Sequence, residues 1–102
     1  MKTSPFNQFA VEYDRWFDTH KFAHQSEVEA VRRLIPRNGT GIEIGSGTGR
    51  FSIPFEINIG VEPSKDMAAI ARSRGITIDN SKAESLPFPN EQFDFALLVT
   101  TL

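Results

Sequence analysis

Glu43 stands between Ile42 and Ile44, and glycines follow it at positions 45, 47 and 49 in the stretch GIEIGSGTGRF, residues 41–51. Two β-branched residues around an acid read as a core strand, where a carboxylate is unfavourable unless a cation or several N–H donors meet it. Alternate glycines remove side chains where a ligand must touch backbone, and they tolerate positive φ in a tight turn. A second acid, Glu62, closes the next strand-like run, 17 residues after Gly45. There it can accept hydrogen bonds from both hydroxyls of a ribose. These residues together predict a site at the carboxyl ends of the first two strands of an open α/β sheet.

Two ligand classes use such a turn. Dinucleotides want G-x-G-x-x-G, but Arg50 occupies the place of the last glycine here, which argues against a pyrophosphate on a helix N-terminus. The other class is a nucleoside carrying an amino acid, whose ammonium group Glu43 would meet. Glu43 could equally hold the loop through its backbone N–H groups, and the two roles are compatible. Gly45, Gly47 and Gly49 could also form a tight turn with no ligand at all.

The elements that must position these residues follow from periodicity. Phe6, Phe9, Ala10, Tyr13, Trp16 and Phe17 recur at spacings of three and four, predicting an amphipathic helix over about 6–19. Its aromatics either glue the helix to the domain or cover a ligand. Ser26 and Glu29 have the spacing of a capping box and predict a second helix, with Val28, Val31, Leu34 and Ile35 buried and Pro36 as its stop. From Thr40 the period changes to that of strands: TGIEIG, EINIGVE with Ile57, Ile59 and Val61, GITIDN with Ile76 and Ile78, and the apolar FDFALLVTTL. Ser64 caps a helix through SKDMAAIARSRG that ends at Gly75. Lys65, Asp66, Arg72 and Arg74 read as its solvated face; Arg50 either lines the site or faces water. Such βα units imply a parallel sheet with right-handed crossovers.

The 102 residues fit one domain, and a chain of this size buries roughly 60 to 65% of its unfolded surface. A net charge of −2 gives no basic footprint for nucleic acid and no polybasic patch for a membrane. The absence of cysteine excludes disulfides and thiolate chemistry. His20 and His24 read as solvated or helix-packing residues rather than zinc ligands. No run approaches the ~20 apolar residues of a membrane span. A cytoplasmic protein is the expectation.

GIEIGSGTGRF, IGVEPSKDMAAIAR and AESLPFPNEQFDFALLV, in this order, resemble the first half of a class I S-adenosylmethionine-dependent methyltransferase of the small-molecule, type 11 kind. FAVEYDRWF resembles the helix that caps the cofactor in that family. The resemblance implies a Rossmann-like parallel sheet with flanking helices, strand order 3-2-1-4, preceded by two N-terminal helices. It divides a single domain into a helical cap over 1–38 and a cofactor-binding βαβ core over 39–102.

The resemblance also implies roles. Glu43, Gly45, Ser46, Gly47 and Gly49 match the loop around the methionine portion of S-adenosylmethionine, and Glu62 matches the ribose acid. Pro63 and Ser64 border the adenine; Ala83 and Glu84 meet its edge and Leu86 flanks the ring. Tyr13 and Trp16 match the cap. Family members often carry an aspartate where this chain has Lys82, which offers no acceptor, so the adenine amino group would turn to backbone, Asp79 or Asn80.

The implied activity is methyl transfer to a small-molecule acceptor, with S-adenosylhomocysteine as product; no general base is nominated. The alternatives are a binding half-domain without turnover and, more distantly, an NAD-binding domain. The apolar run at 93–102 is expected to be a bare sheet edge, suggesting a fragment of a longer enzyme or self-association there.

Overall fold

A computed structural model describes residues 7–36, 38–80 and 93–99. Helix α1 spans Gln8–Thr19 and α2 spans Lys21–Arg32. Strand β1 (Gly41–Ile44) leads through a 3-10 turn at Ile53–Phe55 to β2 (Ile59–Val61). Helix α3 (Lys65–Ser73), β3 (Thr77–Asp79) and β4 (Phe95–Leu97) follow.

The strands form one sheet in the order β3-β2-β1-β4. All pairings are parallel, with Glu43 opposite Gly60 on one side and Leu97 on the other. β1 is therefore central, and its acid is hemmed in from both flanks. β4 forms an edge, and Leu98 just beyond it is exposed.

α1 begins where the Asn7 side chain accepts the Ala10 amide at 2.9 Å, a side-chain N-cap. Its stripe is narrower than the aromatic spacing predicts. Ala10 and Phe17 are buried and Tyr13 is half-buried, but Phe9 and Trp16 face outward. Phe6 lies outside the described residues.

α2 does not start at Ser26. His20 alone separates the two helices, and the His24 amide bonds the His20 carbonyl at 3.0 Å. Nothing in Lys21–Gln25 breaks a helix, so the winding begins a turn and a half early and leaves Ser26 in mid-helix without a capping role. Val28 is buried, and Val31 and Ile35 pack against the core, but Leu34 is exposed because the helix has ended by Arg33.

The connection between β1 and β2 carries only one 3-10 turn, shaped by Pro54 at its start and by Glu56 in the left-handed region at φ 56°. A full crossover helix is missing there. Phe17 and Val28 from the two N-terminal helices instead cluster with Phe51, Ile57 and Leu97. Fully burying each such aliphatic or aromatic side chain stabilises by about 1.5 to 3 kcal/mol, so α1 and α2 belong to the core. A smaller cluster of Ala68, Ala71, Ile76 and Ile78 seats α3 on β3.

Candidate functional site

The parallel ladder continues past β1: the amides of Gly45 and Ser46 both donate to the Val61 carbonyl, at 2.8 and 3.0 Å. The chain then turns with positive φ at Gly45, Gly47 and Gly49. The glycines serve different ends. A side chain at Gly45 would meet nothing within 4 Å, so its backbone is open to a ligand. A Cβ at Gly49 would lie 2.4 Å from Ile76 Cδ1, so that glycine serves the packing of the turn against Ile76, just ahead of β3.

Glu43 is 2% exposed, and among the described residues its hydrogen-bond partner is a side-chain hydroxyl rather than a loop amide. The hydroxyl of Ser52, itself fully buried, donates to Glu43 Oε1. Burial pushes the Glu43 carboxyl up to about 7; the Ser52 bond opposes this and the Glu62 charge adds to it. The loop-holding part falls to Glu62 instead. Its Oε1 accepts from the Gly47 amide at 2.8 Å and its Oε2 from the Ser64 amide at 2.9 Å. Asn80 steadies the same strand end, donating to the Glu62 carbonyl at 3.0 Å while accepting from Arg72 at 3.1 Å. Both ends of the Asn80 amide are thereby engaged within the chain.

Ser46 is 5% exposed, and its hydroxyl lacks a hydrogen-bond partner among the described residues. A small cleft beside it is lined by Tyr13, Phe17, Glu43, Gly45, Ser46, Thr48, Arg50, Phe51 and Val99. Tyr13 also approaches Gly47, its hydroxyl 3.6 Å from where a Cβ there would lie. Trp16 is not in this lining; it stacks on His20 at 4.2 Å. Pro63 is exposed and Ser64 caps α3 through its hydroxyl, 3.4 Å from the Met67 amide. Ala83, Glu84, Leu86 and Lys82 lie outside the described residues.

A larger cleft, about 850 Å³, lies near the amino ends of β1 and β4, between Arg32, Phe55 and Phe95. It touches no residue of the glycine turn. Among the described residues no cluster of His, Asp and Glu is arranged to hold a metal, and no helix is long and apolar enough to cross a membrane.

Sequence reasoning missed Asp14. Its carboxylate accepts from the Thr48 hydroxyl at 2.6 Å, Arg50 Nε at 2.9 Å, and Arg74 Nη1 and Nη2 at 2.8 and 2.6 Å. Burial raises its pKa, but these donors outweigh it and hold the group well below the usual carboxylate range. Arg50 and Arg74 are therefore paired rather than solvated, and Arg72 donates to the Ile78 carbonyl at 2.6 Å. The signal was present in the spacing, because Asp14 falls between Ala10 and Phe17 on the buried stripe of α1. His24 Nε2 must donate to the Arg50 carbonyl, 2.8 Å away, since a carbonyl only accepts.

A parallel sheet of order 3-2-1-4 with an acid-flanked glycine turn at the tip of its central strand defines a Rossmann-like α/β fold. The chain belongs to the methyltransferase domain family, whose model matches residues 42–102. It superposes with a TM-score of 0.85 on a Thermotoga maritima structure described as a "SAM-dependent methyltransferase, possible histamine N-methyltransferase", 56% identical, covering 92% of this chain and 45% of that one. An uncharacterized protein of Methanocaldococcus jannaschii is 54% identical over 97 residues, 95% of this chain and 47% of the relative. One from Mycobacterium tuberculosis is 38% identical over 100 residues, 91% of this chain and 34% of the relative. The chain thus spans less than half the length of these relatives.

Proposed function

We propose that this chain binds S-adenosylmethionine over the tips of β1 and β2, and that a protein of its relatives' full length transfers the methyl group to a small-molecule acceptor. The observation that carries the reading is the buried Ser46 hydroxyl, without a hydrogen-bond partner among the described residues, in a positive-φ glycine turn between two buried acids, Glu43 and Glu62. A polar ligand group would satisfy that hydroxyl, and Gly45 leaves open space beside it. The family match supports the same cofactor.

Glu43 and the Gly45–Gly47 backbone would hold the amino-acid end, Glu62 the ribose, and Pro63 and Ser64 the adenine border. Glu62 has spare lone pairs for hydroxyls beyond the two amides it already accepts. S-adenosylmethionine supplies a methyl group on a positively charged sulfur, a leaving group already activated. The residues of the chain have to align it and keep water out; a base is required only if the acceptor holds a proton at attack.

The acceptor is read as a small molecule rather than nucleic acid, in keeping with the net charge of −2, and the setting as cytoplasmic. The description of the Thermotoga relative makes an amine the first acceptor to assay. Calorimetric titration with S-adenosylhomocysteine and with NAD tests the binding step, and preference for NAD would overturn it. Radiolabelled methyl transfer to histamine and other small amines tests the reaction.

A further inference from the structure

We propose that Ser52 is a positioning residue that holds Glu43 for the ammonium group of the cofactor, and that arrival of that group makes Glu43 give up a proton to solvent. The inference deepens the binding reading above and rests on it. Glu43 and Ser52 are 2% and 0% exposed, and the Ser52 hydroxyl donates to Glu43 Oε1. Among the described residues the Glu43 carboxyl makes no other hydrogen bond. Glu43 also lines the cleft beside Gly45 and Ser46, where the amino-acid end of the ligand is placed.

The groups packed around Glu43 leave a place for one cation. Glu62 faces it from the end of β2 as a second buried acid. Arg50 lines the same cleft from the turn, but Asp14 engages its Nε and Nη2 at 2.9 and 3.1 Å and Asp18 its Nη1 at 3.0 Å. Arg74, after α3, is likewise engaged by Asp14, at 2.6 Å. From α1 Tyr13 reaches the cleft, and from α2 His24 donates to the Arg50 carbonyl. β4 sets the apolar Leu97 opposite Glu43. A neutral donor and a like charge are what Glu43 meets, and in an empty site that favours the protonated acid.

An ammonium group held against Glu43 reverses the balance, because an opposite charge favours the carboxylate. The carboxyl O–H bond breaks, its proton passes to the buffer, and the carboxylate pairs with a cation that arrives already charged. Ser52 governs this step in two ways. Its hydroxyl, at the N-cap position of the 3-10 turn, ties down Oε1 and so aims the carboxyl. The same bond favours the ionised form against burial.

Calorimetric titration with S-adenosylhomocysteine from pH 6 to pH 8.5, in buffers of different ionisation enthalpy, counts the proton. With Glu43 at about 7, roughly one-tenth of it is ionised and competent at pH 6 and nine-tenths at pH 8. Kd should therefore fall about tenfold between them, with close to one proton released per ligand at pH 6. Glu43→Gln should release none. Ser52→Ala should lose more affinity at pH 7 than at pH 8.5, because its Glu43 ionises later, and Ser52→Cys, a weaker donor, should fall between. A merely structural Ser52 would lose the same factor at every pH. Histidine ordinarily titrates in this window, so His24→Gln is the control and should keep the wild-type profile. Affinity independent of pH, a dependence that vanishes in His24→Gln, or a uniform loss in Ser52→Ala overturns the proposal. If Ser52→Ala fails to fold, Ser52→Cys carries the same comparison. Failure of wild-type protein to bind S-adenosylhomocysteine at any of these pH values would instead overturn the cofactor reading, and the proton step with it.

Discussion

The amide of Gly47 donates to Glu62 Oε1 across 2.8 Å, so the acid that ends β2 shapes the turn that ends β1. With Ser64 donating to the second oxygen, the same carboxylate also steadies the start of α3. The glycine turn, the end of β2 and the start of α3 are thus tied into one unit through Glu62. Preorganisation of this kind removes ordering entropy from the binding step.

Glu62→Ala should therefore weaken cofactor binding more than loss of a single ribose contact implies. Hydrogen bonds to a charged group contribute about 1.5 to 3 kcal/mol each, and the buried Gly47 amide and the half-buried Ser64 amide lose their acceptor as well. Calorimetric titration with S-adenosylhomocysteine should show a rise in Kd of tenfold or more, roughly the lower end of that range. Glu62→Gln, which keeps one oxygen, should fall between. Wild-type affinity in Glu62→Ala would place the ribose elsewhere.

Glu43 should make stability depend on pH. Its carboxyl is raised from 4.5 to about 7 in the folded chain, chiefly by burial. The folded state therefore binds more protons than the unfolded state between those values, and stability falls as pH rises through the window. The full effect, present below the lower value and lost above the higher, is on the order of 3 kcal/mol. Urea midpoints should decline from pH 5 to pH 8, and Glu43→Gln should flatten the decline. An unchanged slope in that variant would assign it to another group.

Capping gives a contrast between two residues. Asn7 accepts the Ala10 amide at the start of α1, so Asn7→Ala should destabilise by about 1 kcal/mol. Ser26, in mid-helix and exposed, should tolerate alanine within about 0.5 kcal/mol. Equal losses in thermal melts would contradict the helix boundary.

The sheet was legible because strand period, glycine punctuation and the order of βα units agree at every level, down to Ile76 and Ile78 both facing the core. What misled lay in the helical cap. Ser26–Glu29 is a sound capping box by spacing, but the helix upstream has no reason to stop, and tertiary packing extends it. The partner of Glu43 was hidden because Ser52 is nine residues away and unremarkable as a letter; only the bend between β1 and β2 brings its hydroxyl in. Asp14 was obscured by the aromatics around it, although its place between Ala10 and Phe17 already demanded a charged partner.

Gly49 and Ile76 form the last test, because it separates a packing glycine from a ligand-facing one in the same turn. Gly49→Ala meets both a backbone at φ 92° and Ile76 Cδ1 at 2.4 Å, so it should destabilise by roughly 2 to 4 kcal/mol from strain and overpacking combined. Ile76→Val removes that Cδ1 and alone should cost about 0.5 to 1.5 kcal/mol. The double variant should be more stable than the sum of the single losses, because the valine makes room for the new methyl group. Gly45→Ala, by contrast, meets nothing within 4 Å and should lose only the strain of φ 70°, while its methyl intrudes where the ligand backbone would lie. Denaturant titration of the four variants with calorimetry on Gly45→Ala checks both halves. Strict additivity at 49 and 76, or undiminished binding in Gly45→Ala, would refute the division of labour among these glycines.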